Sequence, residues 1–345
     1  MTNTAFVLEP KTPLAELLDE QFEARPLSEL LALDSESVPW SAWEDSLYQP
    51  LADFLSRPGK EFRARLVDVA WRIAGGHGEP PRELPCIVEA LHAGSLIVDD
   101  IEDESAYRRG GPALHITHGI PTALNAGSWL YFWPHELVSR LDVSPRVELR
   151  LRRLLSQTLL RAHQGQALDL SVCAYDLSQR DAWGVVSATT RLKTGALMQL
   201  AAQIGAVAAD GRAEVAEALG NFGRELGVGL QMADDLGGLT SEKRCHKGHE
   251  DLIHARPTWV WAWLSRQLDA VTYARLVALG REVARGDLHP EALAEELRER
   301  VERHGRKRIR RHLFVALSAL RSVVGDAPAF HELEREIEEL EVSYG

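Results

Sequence analysis

The sequence predicts an all-α protein of ten or more helices. Apolar residues recur every three or four positions through most of the chain, and no segment shows strand-like alternation repeated at hairpin spacing. Prolines and glycines, moreover, gather in short clusters that punctuate the periodic stretches. The clusters are "RPGK" at 57–60, "GGHGEPPREL" at 75–84, "HGIP" at 118–121 and "VGDAPA" at 324–329.

Taken in order, residues 1–38 read as an N-terminal extension, and their start, "MTNTAFVLEPKTPLAELLDEQ", has neither the basic nor the apolar region of a signal peptide. In "LPCIVEALHAGSLIVDD", Ile87, Leu91, Gly94 and Val98 mark one helical face. "RLKTGAL" places Lys193, Thr194 and Gly195 inside an otherwise helical run, which predicts a local break that exposes backbone carbonyl groups. "ELGVGLQMADDLGG" is a second apolar helix. Leu293, Leu297 and Val301, then Leu333, Ile337 and Leu340, mark two more near the end. Nothing between these stretches has the composition of a linker and no period of repeat length stands out, so 1–345 reads as one large helical domain.

Composition narrows the function. A formal net charge of -12 argues against general affinity for nucleic acid or anionic lipid, while leaving room for a local anion site. Three widely spaced cysteines, Cys86, Cys173 and Cys245, fit a reducing compartment with no disulfide framework. The longest uncharged stretch, Thr194 to Ala209, is too short to span a bilayer. A soluble cytoplasmic protein is expected.

The informative stretch is "SLIVDDIEDESAYRRGG", residues 95–111. Asp99 and Asp103 are four apart and share a helical face, whereas Asp100 and Glu102 point elsewhere. The pair stands at the C-terminal end of its helix, where the macrodipole disfavours negative charge. A hard divalent cation such as Mg²⁺ relieves this, since it takes oxygen ligands and combines few carboxylates with substrate phosphates. Arg108 and Arg109 then serve as phosphate forks. The second apolar helix repeats the theme, with Gln231, Asp234 and Gly238 on one face, and "HKGHEDL" adds Lys247 and Asp251. Lys60 and Arg63 in "GKEFR" suit one diphosphate, and "HQGQALDL" supplies Gln166 and Asp169. Two acidic helix ends with several basic positions imply two phosphorylated ligands and a metal cluster.

These residues make the chain resemble the trans-isoprenyl diphosphate synthases, from about Pro58 to Trp263. The first aspartate-rich motif of that family, with its Arg-Arg-Gly, is similar to Asp99-Asp100-Ile101-Glu102-Asp103 and Arg108-Arg109-Gly110 here. Gly59-Lys60-Glu61-Phe62-Arg63, His92 and Lys193-Thr194 match further motifs. "PGKEFR", "HQGQALDL" and the stretch from Ser95 to Pro121 most resemble geranylgeranyl diphosphate synthases of the eukaryotic type. The chain departs from the family at Gly238, where the second motif ends in an acid, and at Ala255-Arg256, where Gly-Lys is usual.

The resemblance implies an isoprenoid-synthase bundle around a central cavity, acting as a homodimer. It implies condensation of isopentenyl diphosphate with an allylic diphosphate (dimethylallyl, geranyl or farnesyl) to give geranylgeranyl diphosphate. Three Mg²⁺ ions with substrate bound are expected, held by Asp99, Asp103 and Asp234. Arg108, Lys193 and Lys247 would neutralise the leaving diphosphate, Thr194 and Gln231 would face the allylic cation, and Arg256 would keep the charge of the usual lysine. Isopentenyl diphosphate would fall to Lys60, Arg63, His92 and Arg109. Chain length is expected to depend on Leu91, Gly94 and Ser95, where farnesyl-making relatives carry an aromatic floor. A class I terpene cyclase and a catalytically silent regulatory subunit are the alternatives. "CHKGH" lacks the ligand set of a zinc site. "GRKRIRRH" at 305–312 reads as a solvated helix face, and Trp259, Trp261 and Trp263 as packing residues.

Overall fold

The computed structural model describes residues 11–32, 39–59 and 62–344, and their fold is all-α. The helices are α1 Pro13–Gln21, α2 Ala24–Leu31, α3 Trp40–Trp43, α4 Gln49–Leu55, α5 Phe62–Ile73, α6 Glu83–Glu102, α7 Leu114–His118, α8 Ile120–Ser139 and α9 Pro145–Ser171. They continue with α10 Gln179–Thr190, α11 Ala196–Ala208, α12 Ala213–Thr240, α13 Cys245–Ile253, α14 Trp259–Gln267, α15 Ala270–Arg285, α16 Pro290–Val324 and α17 Pro328–Tyr344. Two π turns, Glu44–Tyr48 and Arg191–Gly195, interrupt the helical runs. The described residues also hold a hairpin that periodicity does not foresee, β1 Tyr107–Arg108 with β2 Gly111–Pro112. Two-residue strands are too short to alternate.

The chain divides into two compact units, one of residues up to Arg65 with Pro81–Ser144, the other of Leu66–Pro80 with Pro145 onward. In the first, α6 packs along α8. The two axes come close because Gly94 and Gly127 face each other: a Cβ on Gly94 would lie 2.8 Å from the Gly127 carbonyl oxygen. Part of the expected N-terminal extension, 1–10 and 33–38, lies outside the described residues. The remainder includes α1, which starts at Pro13 after Thr12, whose hydroxyl accepts from the Ala15 amide at 3.2 Å. Its buried residues Leu14, Leu17 and Leu18 join the core of this unit.

In the second unit α12 is the axis, packed by α11 and α16. Arg72 on α5 grips Glu332 on α17 through two hydrogen bonds, 2.6 and 3.0 Å. Trp259, Trp261 and Trp263 on α14 are all fully buried, as packing residues should be. Removing about 200 Å² per ring from water contributes roughly 5 kcal/mol apiece, an upper figure. Among the described residues no helix is long and apolar enough to cross a membrane.

Candidate active site

One cluster of candidate residues belongs to the unit that carries α6. Asp103 caps α6, its amide donating to the Asp99 carbonyl at 2.8 Å, so Asp99 and Asp103 stand one turn apart at the helix end. Asp100 turns the other way and is wholly buried. Its Oδ1 accepts from Arg108 Nε at 2.7 Å and Nη2 at 2.5 Å. Burial pushes the Asp100 carboxyl up, and Arg108 opposes it. A charge-assisted pair of this kind fixes the guanidinium in place.

Arg108 opens the hairpin, whose loop is Arg109-Gly110. Both have positive φ, 49° and 77°, as a type I′ turn demands. Glycine takes that conformation freely, but Arg109 takes it against its preference, held there by the turn. Arg57 secures the hairpin by donating to the carbonyls of Arg108 (3.2 Å) and Pro112 (2.7 Å). The Arg109 guanidinium lies 5.3 Å from the Phe54 ring centre, and Gly59 stands beside it.

His92 is held neutral, well below its ordinary value, first by burial and then by Arg63, Arg109 and Arg108. Arg109 is itself pulled down by burial, with Arg108 and Arg57 adding repulsion. The structure thus gathers Arg63, His92, Arg108 and Arg109 into one cation-rich nest that an anion would relieve. Lys60 lies outside the described residues.

A second cluster belongs to the unit that carries α12. The predicted break is the π turn Arg191–Gly195. From it Lys193 donates to Asp169 Oδ2 at 2.7 Å, and the Thr194 hydroxyl donates to Gln231 Oε1 at 2.9 Å. Gln231 Nε2 passes the chain on to Asp235 Oδ1 at 2.8 Å, and Asp235 Oδ2 accepts from the Trp259 amide at 2.7 Å. Arg256 donates to the Asp169 carbonyl at 2.8 Å. Asp234 binds Lys247, with Arg244 3.6 Å away. Burial works against the Lys247 charge, yet Asp234 beside it holds its pKa above the ordinary value.

Two acids here retain protons toward neutrality. Burial pushes Asp235 up to about 6, and pushes Asp251 up to about 7 with Asp235 and Asp234 adding repulsion. Among the described residues no group of three or more acids, histidines or cysteines is placed to hold a metal by itself. The donor set nevertheless fits Mg²⁺, because its ligands are oxygens and it takes few carboxylates when phosphate supplies the rest. In the one unit Asp99 and Asp103 at a negative helix end are the carboxylates that would hold it, and in the other it is Asp234, already compensated by Lys247 and Arg244.

Gly238 has a steric reason. A Cβ there would lie 3.1 Å from Gly248 Cα, and one on Gly248 only 2.1 Å from the Gly238 carbonyl oxygen. α12 and α13 touch backbone to backbone, so a side chain at 238 would press on α13.

Gly94 faces Gly127, Leu130 and Tyr131 of α8. At about 100° per residue it sits roughly 140° around α6 from Asp99, whereas His92 and Ser95 sit within about 40°. Ser95 is half-buried and donates to the His92 carbonyl at 2.9 Å; Leu91 is buried. The sequence reading gave no role to Asp100 and Asp235, which anchor Arg108 and Gln231. Each is the inward partner of a doubled aspartate.

Comparison with known proteins agrees with this construction. The sequence model of the family Polyprenyl synthetase matches residues 44–280. The chain is 31% identical over 215 residues to the short chain isoprenyl diphosphate synthase of Methanocaldococcus jannaschii, covering 62% of this chain and 64% of that protein. It is 33% identical over 228 residues to the geranylgeranyl pyrophosphate synthase of Eremothecium gossypii, covering 63% and 68%. The match thus spans a little under two thirds of the archaeal relative. The fold is similar to that of decaprenyl diphosphate synthase from Rhodobacter capsulatus, at TM-score 0.73 and 21% identity over 96% of this chain and 98% of that one. It is also similar to geranylgeranyl pyrophosphate synthetase from Pyrococcus horikoshii, at TM-score 0.72 and 22% identity over 96% and 94%. With a match over most of its length and both aspartate-rich helix ends in place, the chain belongs to the polyprenyl synthetase family.

Proposed function

We propose that the chain is a Mg²⁺-dependent trans-prenyltransferase that joins isopentenyl diphosphate to an allylic diphosphate, releasing pyrophosphate and yielding geranylgeranyl diphosphate. The observation that carries this reading is the placing of Arg63 and Arg109 beside His92, cations that a terpene cyclase with one diphosphate has no use for. Bound Mg²⁺ would supply positive charge to the leaving diphosphate. Lys193, Lys247 and Arg108 add fixed charge where negative charge develops as the allylic carbon–oxygen bond breaks. The Gln231 amide is oriented by Thr194 and Asp235, and these groups face the resulting cation. His92, neutral, donates a hydrogen bond without adding repulsion, while Lys60, Arg63 and Arg109 hold the isopentenyl diphosphate. Its double bond attacks the cation, which moves the positive charge onto the isopentenyl unit, and a proton lost from the carbon next to that charge restores a double bond and leaves with pyrophosphate.

The reading includes one catalytic domain and a cytoplasmic homodimer. Ile120, Leu124 and Phe132 leave an apolar stripe exposed on α8, which suits a second copy. The test is turnover by the purified chain alone, with isopentenyl diphosphate, Mg²⁺ and each of the three allylic primers. Product chromatography should give geranylgeranyl diphosphate. Activity only after mixing with another prenyl synthase would make the chain a regulatory subunit. Loss of the allylic diphosphate without use of isopentenyl diphosphate would make it a cyclase.

Product length gives a second expected outcome. Ser95→Phe, on the Asp99 side of α6, should shorten the product by about one isoprene unit, since a ring fills roughly one 5.4 Å turn. Gly94→Phe should instead drive α6 from α8 and lower the melting temperature. A well-folded Gly94→Phe enzyme with a shortened product would place Gly94 in the tunnel wall.

A further inference from the structure

No aspartate or glutamate occurs from Arg303 to Gly325, in a chain whose net charge is -12. That stretch is the middle and end of α16, and its buried side, Gly305, Ile309, Leu313, Ala316 and Leu320, packs inward. The opposite side exposes Arg303, Lys307, Arg310 and Arg311. Phe314 is 70% exposed and Val315 58% exposed, directly after the cations. Positions 303, 307, 310, 311, 314 and 315 fall within an arc of about 140° along roughly 18 Å of helix. The sequence alone leaves this run a solvated face. The structure adds a large ring standing in solvent at the centre of that arc, which solvation of charge does not explain.

We propose that this face of α16 is a docking surface for an anionic lipid bilayer. The cations match lipid phosphate and carboxylate headgroups, and Phe314 and Val315 are placed to enter the headgroup boundary, the combination that holds interfacial helices. Neighbouring charge reinforces the patch. Arg308 stands beside Arg266, so a further pair of cations adds to the local potential, and of the basic residues in the run Arg306 has an acid nearby, Glu302 at 3.5 Å. Nucleic acid would also suit the cations, but it has no use for an exposed Phe-Val pair. This inference stands independently of the reaction proposed above.

The test is co-sedimentation of the purified full chain with phosphatidylcholine vesicles, with and without phosphatidylserine. Binding is expected only where phosphatidylserine is present, and it should weaken at least tenfold as salt is raised, because exposed charges are screened. The quadruple variant Arg303→Gln, Lys307→Gln, Arg310→Gln, Arg311→Gln should bind about six-hundredfold more weakly, at roughly fivefold per cation. Phe314→Ser should weaken binding several-fold at every salt concentration. Thermal melting of each variant monitors folding, and the salt series on the unaltered chain tests the idea without any variant. The proposal is overturned if the chain stays in solution with anionic vesicles, or binds neutral vesicles equally. Equal binding by the quadruple variant, displacement by inorganic phosphate at constant ionic strength, or equally tight binding to duplex DNA overturns it too.

Discussion

Replacing Asp99, Asp103 or Asp234 by alanine is expected to lower turnover by about a thousandfold or more, while Glu102→Gln changes it less than about fivefold. A lost carboxylate ligand withdraws several kcal/mol of charge stabilisation from the ionising step, and each 1.36 kcal/mol is a factor of ten. Asp99 and Asp103 share the open end of α6, and Glu102 is exposed elsewhere on the same turn. Asp234 needs a further control, because Lys247 and Arg244 lean on it. Asp234→Asn keeps the shape, so a large loss there reports the charge. Initial rates across a Mg²⁺ series, with melting curves for folding, make the measurement. Equal damage from Glu102→Gln and Asp103→Ala would sink the assignment of faces.

Gly238→Asp, which restores the acid usual in the family, is expected to destabilise the protein and to gain no activity. The new side chain would have to part α12 from α13 at the Gly238–Gly248 contact. Overpacking costs about 1–3 kcal/mol, and a carboxylate forced into a buried site without a partner adds several more. At about 2–4 °C per kcal/mol for a unit of this size, melting should fall by roughly 10 °C. A variant that melts with the wild type and turns over faster would show that the two helices have room.

Much of the site was legible because helical periodicity and charge report on different things. The period located α6 and α12, and the acids at their ends located the chemistry. Face arithmetic also separated Asp99 from Asp100. It could not say what the inward acid would meet, since the Arg108 partner arrives from a hairpin too short to leave a pattern. Asp235 is the same case, for its partner is a backbone amide of α14. Counting back five residues from Asp99 to Gly94 moves one turn along α6 but also around to its far side, whereas Ser95 and His92 stay on the Asp99 side. Trp259 to Trp263 packed as expected from their spread around the helix.

The π turn at Arg191–Gly195 carries one residue more than an α-helical path between Thr190 and Ala196 requires. Removing a single residue from it would let α10 run smoothly into α11, a local gain in regularity. The same removal would move the residues of the turn itself by up to about 100° relative to one flank or the other. Lys193 would lose Asp169 or Thr194 would lose Gln231, since no one rotation keeps both. The stretch therefore tolerates a change of residue better than a change of length. A one-codon deletion here would spare the reading frame and most of the core, yet it would separate the two contacts that join this turn to its neighbours.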